Sequence, residues 1–224
     1  MKKKNGANLT FEGAQLCSTV LGHRVVYHKH VPQKNEPKLT EHNVDESNSV
    51  QSSVFTVQKK LNAKLIEAVQ QKKVPLIARL ISQGADCNII KDGLSPLHIA
   101  VMQKDLPTIA CLITHGADVN SKGSFGNRPL HEAALSTDRM KIKIAEVLLV
   151  AGADPNAQND FGQVPLHFHV HSEYDMYMEL AKLLIRAGAR LHIKDIKGNE
   201  PLDRLPSKLR DHLIAFALYA HYKA

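Results

Sequence analysis

Three groups of residues in this 224-residue chain have types and spacings that could do chemistry. The first is His167-Phe168-His169-Val170-His171. His167 and His171 are four apart, which on a helix puts both imidazoles on one face, where a pair of histidines can share a zinc ion. The second is a set of carboxylates and imidazoles suited to general acid–base work: Asp86, Asp118 and Asp154 with His98, His131 and His167. The third is the cysteines Cys17, Cys87 and Cys111, of which Cys17 has His23 and His28 within a short stretch of chain.

Each group fails on its pattern. No cysteine or third ligand accompanies His167 and His171, so the pair reads as packing and surface display, and no metal is expected. The carboxylate–imidazole set is repeated three times along the chain, whereas an active site is a single constellation, so these residues read as hydrogen-bonded scaffolding. Cys87 occupies the slot that Val119 fills 32 positions later and reads as a small buried hydrophobe, as does Cys111. An odd number of cysteines without a Cys-x-x-Cys pair argues against a disulfide framework and for a reducing compartment. There is no phosphate-binding glycine loop and no Gly-x-Ser-x-Gly elbow. The expectation is a protein with no catalytic residues and no cofactor.

The elements behind these residues are set by a period. Pro-Leu recurs at Pro96-Leu97, Pro129-Leu130, Pro165-Leu166 and Pro201-Leu202, and Gly-Ala at Gly84-Ala85, Gly116-Ala117, Gly152-Ala153 and Gly188-Ala189. Both markers step by 32 to 36 residues. The first three Pro-Leu pairs continue into His98, His131 and His167, and each is followed about 20 residues on by Gly-Ala-Asp-x-Asn or a relative of it. This pattern resembles the ankyrin repeat over residues 58–224. The resemblance implies an all-α solenoid of stacked antiparallel helix pairs with projecting β-hairpin loops, and a concave partner-binding surface lined by hairpin tips and first helices.

The residue types suit those elements. Proline at a first helical turn removes only an N–H that is orphaned anyway. Ser95 can cap its helix, whereas Arg128, Val164 and Glu200 cannot do so in the same way, so the later units are expected to start their first helices less firmly. Leu112-Ile113, Val147-Leu148-Leu149 and Leu183-Leu184-Ile185 carry the core on the second helices. The units divide as an N-terminal cap at 58–90, repeats at 91–121, 122–158 and 159–194, and a C-terminal cap at 195–224. Insertions of three residues fall between the paired helices of the second and third repeats, near residues 136–139 and 173–176. His169 stands where the pattern wants a small alanine, which loosens that repeat.

Residues 1–57 form a polar, largely flexible leader with a short hairpin near 16–31. Residues 1–60 also carry just over half of the net charge. The chain is +7 overall, and residues 1–60 hold nine Lys/Arg against five Asp/Glu. Such an excess, with no basic stripe interleaved with aromatics, does not point to nucleic acid. No apolar run is long enough to span a membrane.

Binding remains. The positions beside each hairpin glycine are Asp92 and Leu94, Phe125 and Asn127, Phe161 and Gln163, then Lys197 and Asn199. Phe125 and Phe161 share a phase, and with the ~10 Å unit spacing that the resemblance implies they put two rings on neighbouring fingertips. Met102, Gln103, Leu135 and His171 extend the surface along the first helices, and Tyr174 adds an edge contact. The function expected is a monomeric, cytoplasmic, non-catalytic adaptor for a partner protein, or an effector in a host cytosol if the source is an intracellular bacterium. Two alternatives stay open: an activity carried by residues 1–60 and delivered by the repeats, and nucleic-acid association through the basic leader.

Overall fold

A computed structural model describes residues 44–168 and 174–222. The chain divides into two units, Met1–Asp45 and Glu46–Ala224, and the architecture below is that of the second. The hairpin expected near residues 16–31, with Cys17, lies outside the described residues, as do His169 and His171. Nothing is described of the side chain of Tyr174.

Among the described residues there are eight α-helices: α1 (Val44–Gln70), α2 (Val74–Ser82), α3 (Pro96–Met102), α4 (Leu106–Thr114), α5 (Pro129–Leu135), α6 (Met140–Val150), α7 (Tyr174–Arg186) and α8 (Ser207–Tyr222). Single 3-10 turns occupy Ser124–Gly126 and Pro165–His167. The first helices α3 and α5 pack side by side, while α2 packs on α4 and α6 on α7 in a second row.

Each second helix ends the same way. Gly116 takes φ +88°, its N–H bonds the Ile113 carbonyl at 3.1 Å, and the next N–H, of Ala117, reaches back to Leu112 at 3.0 Å. That is the glycine-terminated closure which satisfies carbonyls at a helix end, and it explains why Gly-Ala marks the period. The apolar stripe of each pair points into one continuous core. Leu65, Ile77, Leu97, Ile109, Leu112, Leu130, Ile144, Leu148, Leu166, Leu180, Leu184 and Leu213 are all sealed from solvent.

Three findings differ from the sequence reading. No strand forms among the described residues. The projecting loops are tight turns closed by one or two backbone bonds, such as Gly123 N–H to the Asn127 carbonyl at 2.7 Å, because five residues leave no length for a ladder. The helix α1 starts at Val44, inside the tract expected to be leader.

The uncapped first helix α5 is as long as the Ser95-capped α3, at 7 residues each, but in the third repeat the first helix shrinks to the turn Pro165–His167. In the first two repeats the residue two positions past the Pro-Leu-His histidine, Ala100 or Ala133, is wholly buried.

The three-residue insertion has a conformational cause. In the units without it, the helices are joined by turns that force Lys72 (φ +55°) and Lys104 (φ +57°) into the left-handed region, at roughly 1 kcal/mol each. Residues 136–139 make the same connection with no positive φ, and Asp138 Oδ1 accepts the Met140 N–H at the start of α6 at 2.9 Å.

Candidate functional site

The Pro-Leu-His histidines are the first residues to place. In each case the N–H three residues earlier donates to Nδ1: Ser95 to His98 at 3.3 Å, Arg128 to His131 at 3.1 Å, Val164 to His167 at 3.0 Å. In each case Nε2–H donates to a carbonyl of the next unit: Asn127 at 3.0 Å, Gln163 at 3.0 Å, Asn199 at 3.2 Å. A nitrogen that receives an N–H carries no proton, so these are neutral imidazoles of one fixed tautomer. Burial pushes the pKa of His98 down and that of His131 down to about 4. With both nitrogens of His167 bonded to backbone, neither is free for a metal, and His167 stands in a 3-10 turn rather than on a helix face.

Asparagines make a second row of stitches. Asn88, Asn120 and Asn156 each donate from Nδ2 to the next unit's glycine carbonyl, of Gly116, Gly152 and Gly188, at 2.9–3.1 Å. Each also accepts from the next unit at Oδ1: the N–H of Asp118 at 2.7 Å, Asp154 at 2.8 Å and Arg190 at 2.7 Å. At the N-terminal end α1 supplies the missing asparagine in two pieces. Gln58 Nε2 bonds the Gly84 carbonyl at 2.7 Å, and Asn62 Oδ1 accepts the Asp86 N–H at 2.9 Å. The carboxylates of Asp86, Asp118 and Asp154 accept the N–H two residues on, each at 2.8 Å, which orders their own loops rather than facing an imidazole.

These rows consume three residues expected at the partner surface. Asn127, Gln163 and Asn199 are half-buried, and their carbonyls are the acceptors of the histidine stitch. The Asn127 side chain is further bonded to Glu132 and Asn159, and that of Asn199 to Asp195. Tyr177, three residues beyond Tyr174 on α7, is sealed in the core.

Six of the other expected residues fall into two groups at the surface. Asp92, Leu94, Met102 and Gln103 come together with Ile66, Gln70, Lys91 and Ile99 around a groove of about 270 Å³ between the end of α1 and α3. Phe125 and Phe161 are 68% and 44% exposed, with ring centroids 6.0 Å apart and planes tilted by 33°. They are neither separate fingertips nor packed on their own loops. A backbone bond from Asp160 N–H to the Phe125 carbonyl (3.0 Å) draws the two tips together, and the rings lean on each other. Leu135, at the end of α5, and Lys197, on the last tip, are exposed without joining either group.

Sequence reasoning missed Ile196, 70% exposed, whose N–H bonds the Phe161 carbonyl at 3.0 Å and so continues the same row of tips. The signal available was its place two residues before Gly198. Burial pushes the pKa of the Cys87 and Cys111 thiols up, away from the reactive thiolate.

Among known proteins, residues 65–159 match the family model described as ankyrin repeats (3 copies). The match ends at residue 159, before the Pro165–His167 turn of the third repeat. No curated protein matches the chain.

Proposed function

Because the chain belongs to the ankyrin repeat proteins, whose repeats are generally protein–protein interaction modules, we propose that it is a non-catalytic adaptor that binds a partner protein through its tips and first helices. The observation that carries this reading is the Phe125–Phe161 pair. Two large apolar rings stand exposed on adjacent tips, ordered by each other and by a cross-unit backbone bond. Aromatic groups held rigid before contact lose little entropy on binding and are favoured anchors of interfaces. The neighbouring groove at Leu94, Met102 and Gln103 supplies a second recess on the same kind of surface, rimmed by Lys91 and Asp92. Leu135 and Lys197, exposed elsewhere, add peripheral contacts. The same surface serves a resident adaptor or an exported effector.

No helix among the described residues is long and apolar enough to cross a membrane. His98, His131 and His167 are each bonded on both nitrogens to backbone, which supports a scaffold role for them over a catalytic one.

The test is quantitative capture of partners from cytosol by the full chain and by the Phe125→Ala, Phe161→Ala variant. Both rings are exposed, so the variant folds, and losing them weakens partner binding at least about 10-fold. Retention of the same partners at unchanged affinity, with an unchanged melting curve, sinks the proposal.

A further inference from the structure

At the far end of the stack, the last Gly-Ala loop departs from its three predecessors. Where those loops carry Asp86, Asp118 and Asp154, with the carboxylate turned back onto the loop's own N–H, this one carries Arg190. Where those carry the stitching asparagine, this one carries His192, whose Nδ1 lies 3.2 Å from Glu200. The charge at the Asp position is therefore inverted, and the row of asparagines ends.

Beside this loop opens a groove of about 540 Å³ between residues 189–193 and α8. That lies within the ~300–1,000 Å³ over which proteins commonly hold ligands. Its apolar lining comes from Leu191, Ile193, Ile214, Ala217 and Leu218. Leu218 is 69% exposed, although it points along a helix whose Leu213 and Ala217 are buried. The polar lining is Arg190 and His192. Glu200 is engaged by His192, and Asp211, one turn before Ile214, does not line the groove. Among the described residues no carboxylate pairs with the Arg190 guanidinium, and exposed Lys194 adds to the same sign.

We propose that this groove is a second docking site, separate from the tips, for a segment of a partner protein that combines apolar side chains with carboxylates. The apolar side chains fill the floor between Leu191 and Leu218, and a carboxylate pairs with Arg190. Charge complementarity selects an acidic over a basic segment, and the apolar floor selects against a merely acidic one. A guanidinium binds a carboxylate through two parallel N–H bonds, so one well-placed acidic residue suffices.

The experiment uses the full chain and three short fluorescein-labelled peptides, one alternating Leu with Glu, one Leu with Lys and one Ser with Glu, read by anisotropy. The Leu/Glu peptide is expected to bind at least about 10-fold more tightly than either of the others. Arg190→Glu and Leu218→Ser, both at exposed positions that leave the fold intact, each weaken it about 5-fold or more, while Phe125→Ala with Phe161→Ala leaves it unchanged. Equal binding of the three peptides, or wild-type binding by either groove variant, overturns the proposal. Loss of peptide binding in the phenylalanine variant places the peptide on the tips instead and overturns it equally.

Discussion

Protonating His131 dismantles a stitch in the middle of the stack, so acid reads the architecture directly. Burial pushes its pKa down to about 4, against about 6.5 for a free imidazole; the Gln163 carbonyl pulls it back up, and Arg128 and His167 add to the depression. Between those two values the unfolded chain binds a proton that the folded chain refuses. Stability is therefore fully present above pH ~6.5 and is lost as the pH falls towards 4. Integrated from pH 7, this one side chain accounts for a loss of about 2 kcal/mol at pH 5 and about 3 kcal/mol at pH 4. Burial depresses the pKa of His98 too, so it adds loss in the same direction. Against a typical total of ~5–15 kcal/mol, that is a large share.

The assay is urea unfolding at pH 7, 6 and 5 of the wild type and of His131→Gln, which cannot titrate. Staying at or above pH 5 keeps most carboxylates ionised. The variant starts about 1–3 kcal/mol less stable at pH 7, having lost a buried stitch. It then loses about 2 kcal/mol less than the wild type between pH 7 and pH 5. Parallel profiles for the two proteins would refute the reasoning, as would an NMR titration that places His131 near 6.5.

Two further substitutions probe the stitches. Asn120→Ala removes the bonds to the Gly152 carbonyl and the Asp154 N–H, and is expected to cost about 2 kcal/mol in urea unfolding; a loss below about 0.5 kcal/mol would show that water replaces both. Gly123→Ala would set its new methyl 2.7 Å from His98 Nε2 and 3.0 Å from Cδ2, so it displaces the ring from the Asn127 carbonyl. It is expected to cost at least about 2 kcal/mol and to move the His98 ring signals in NMR, and unchanged signals would contradict it.

The architecture was legible because its markers are local. Pro-Leu-His opens a first helix and Gly-Ala closes a second, and each acts through bonds within a few residues. What escaped is what depends on the neighbouring unit. Nothing in a string of residues says that the Asn127, Gln163 and Asn199 carbonyls are taken by a histidine about 30 positions earlier, so all three read as free tip residues. The Phe125–Phe161 contact depends in the same way on a cross-unit backbone bond.

The early start of α1 escaped for another reason. Residues 44–57 hold four serines and four valines, indifferent helix formers, yet a helix already anchored by Leu65 and Val69 only has to propagate upstream, which costs far less than nucleating anew.

The stitches share one property: with few exceptions they join a side chain of one unit to the main chain of the next. His98, His131 and His167 reach carbonyls, and Asn88, Asn120 and Asn156 reach a carbonyl and an amide. A main-chain group is the same whatever residue bears it. The ring-bearing tip positions lie outside these stitches, so Phe125 or Phe161 could be exchanged for another anchor in a single step without loosening the seam beneath them. Partner choice is thereby uncoupled from structural integrity, which lets such a chain change allegiance over generations while its framework stays as it is.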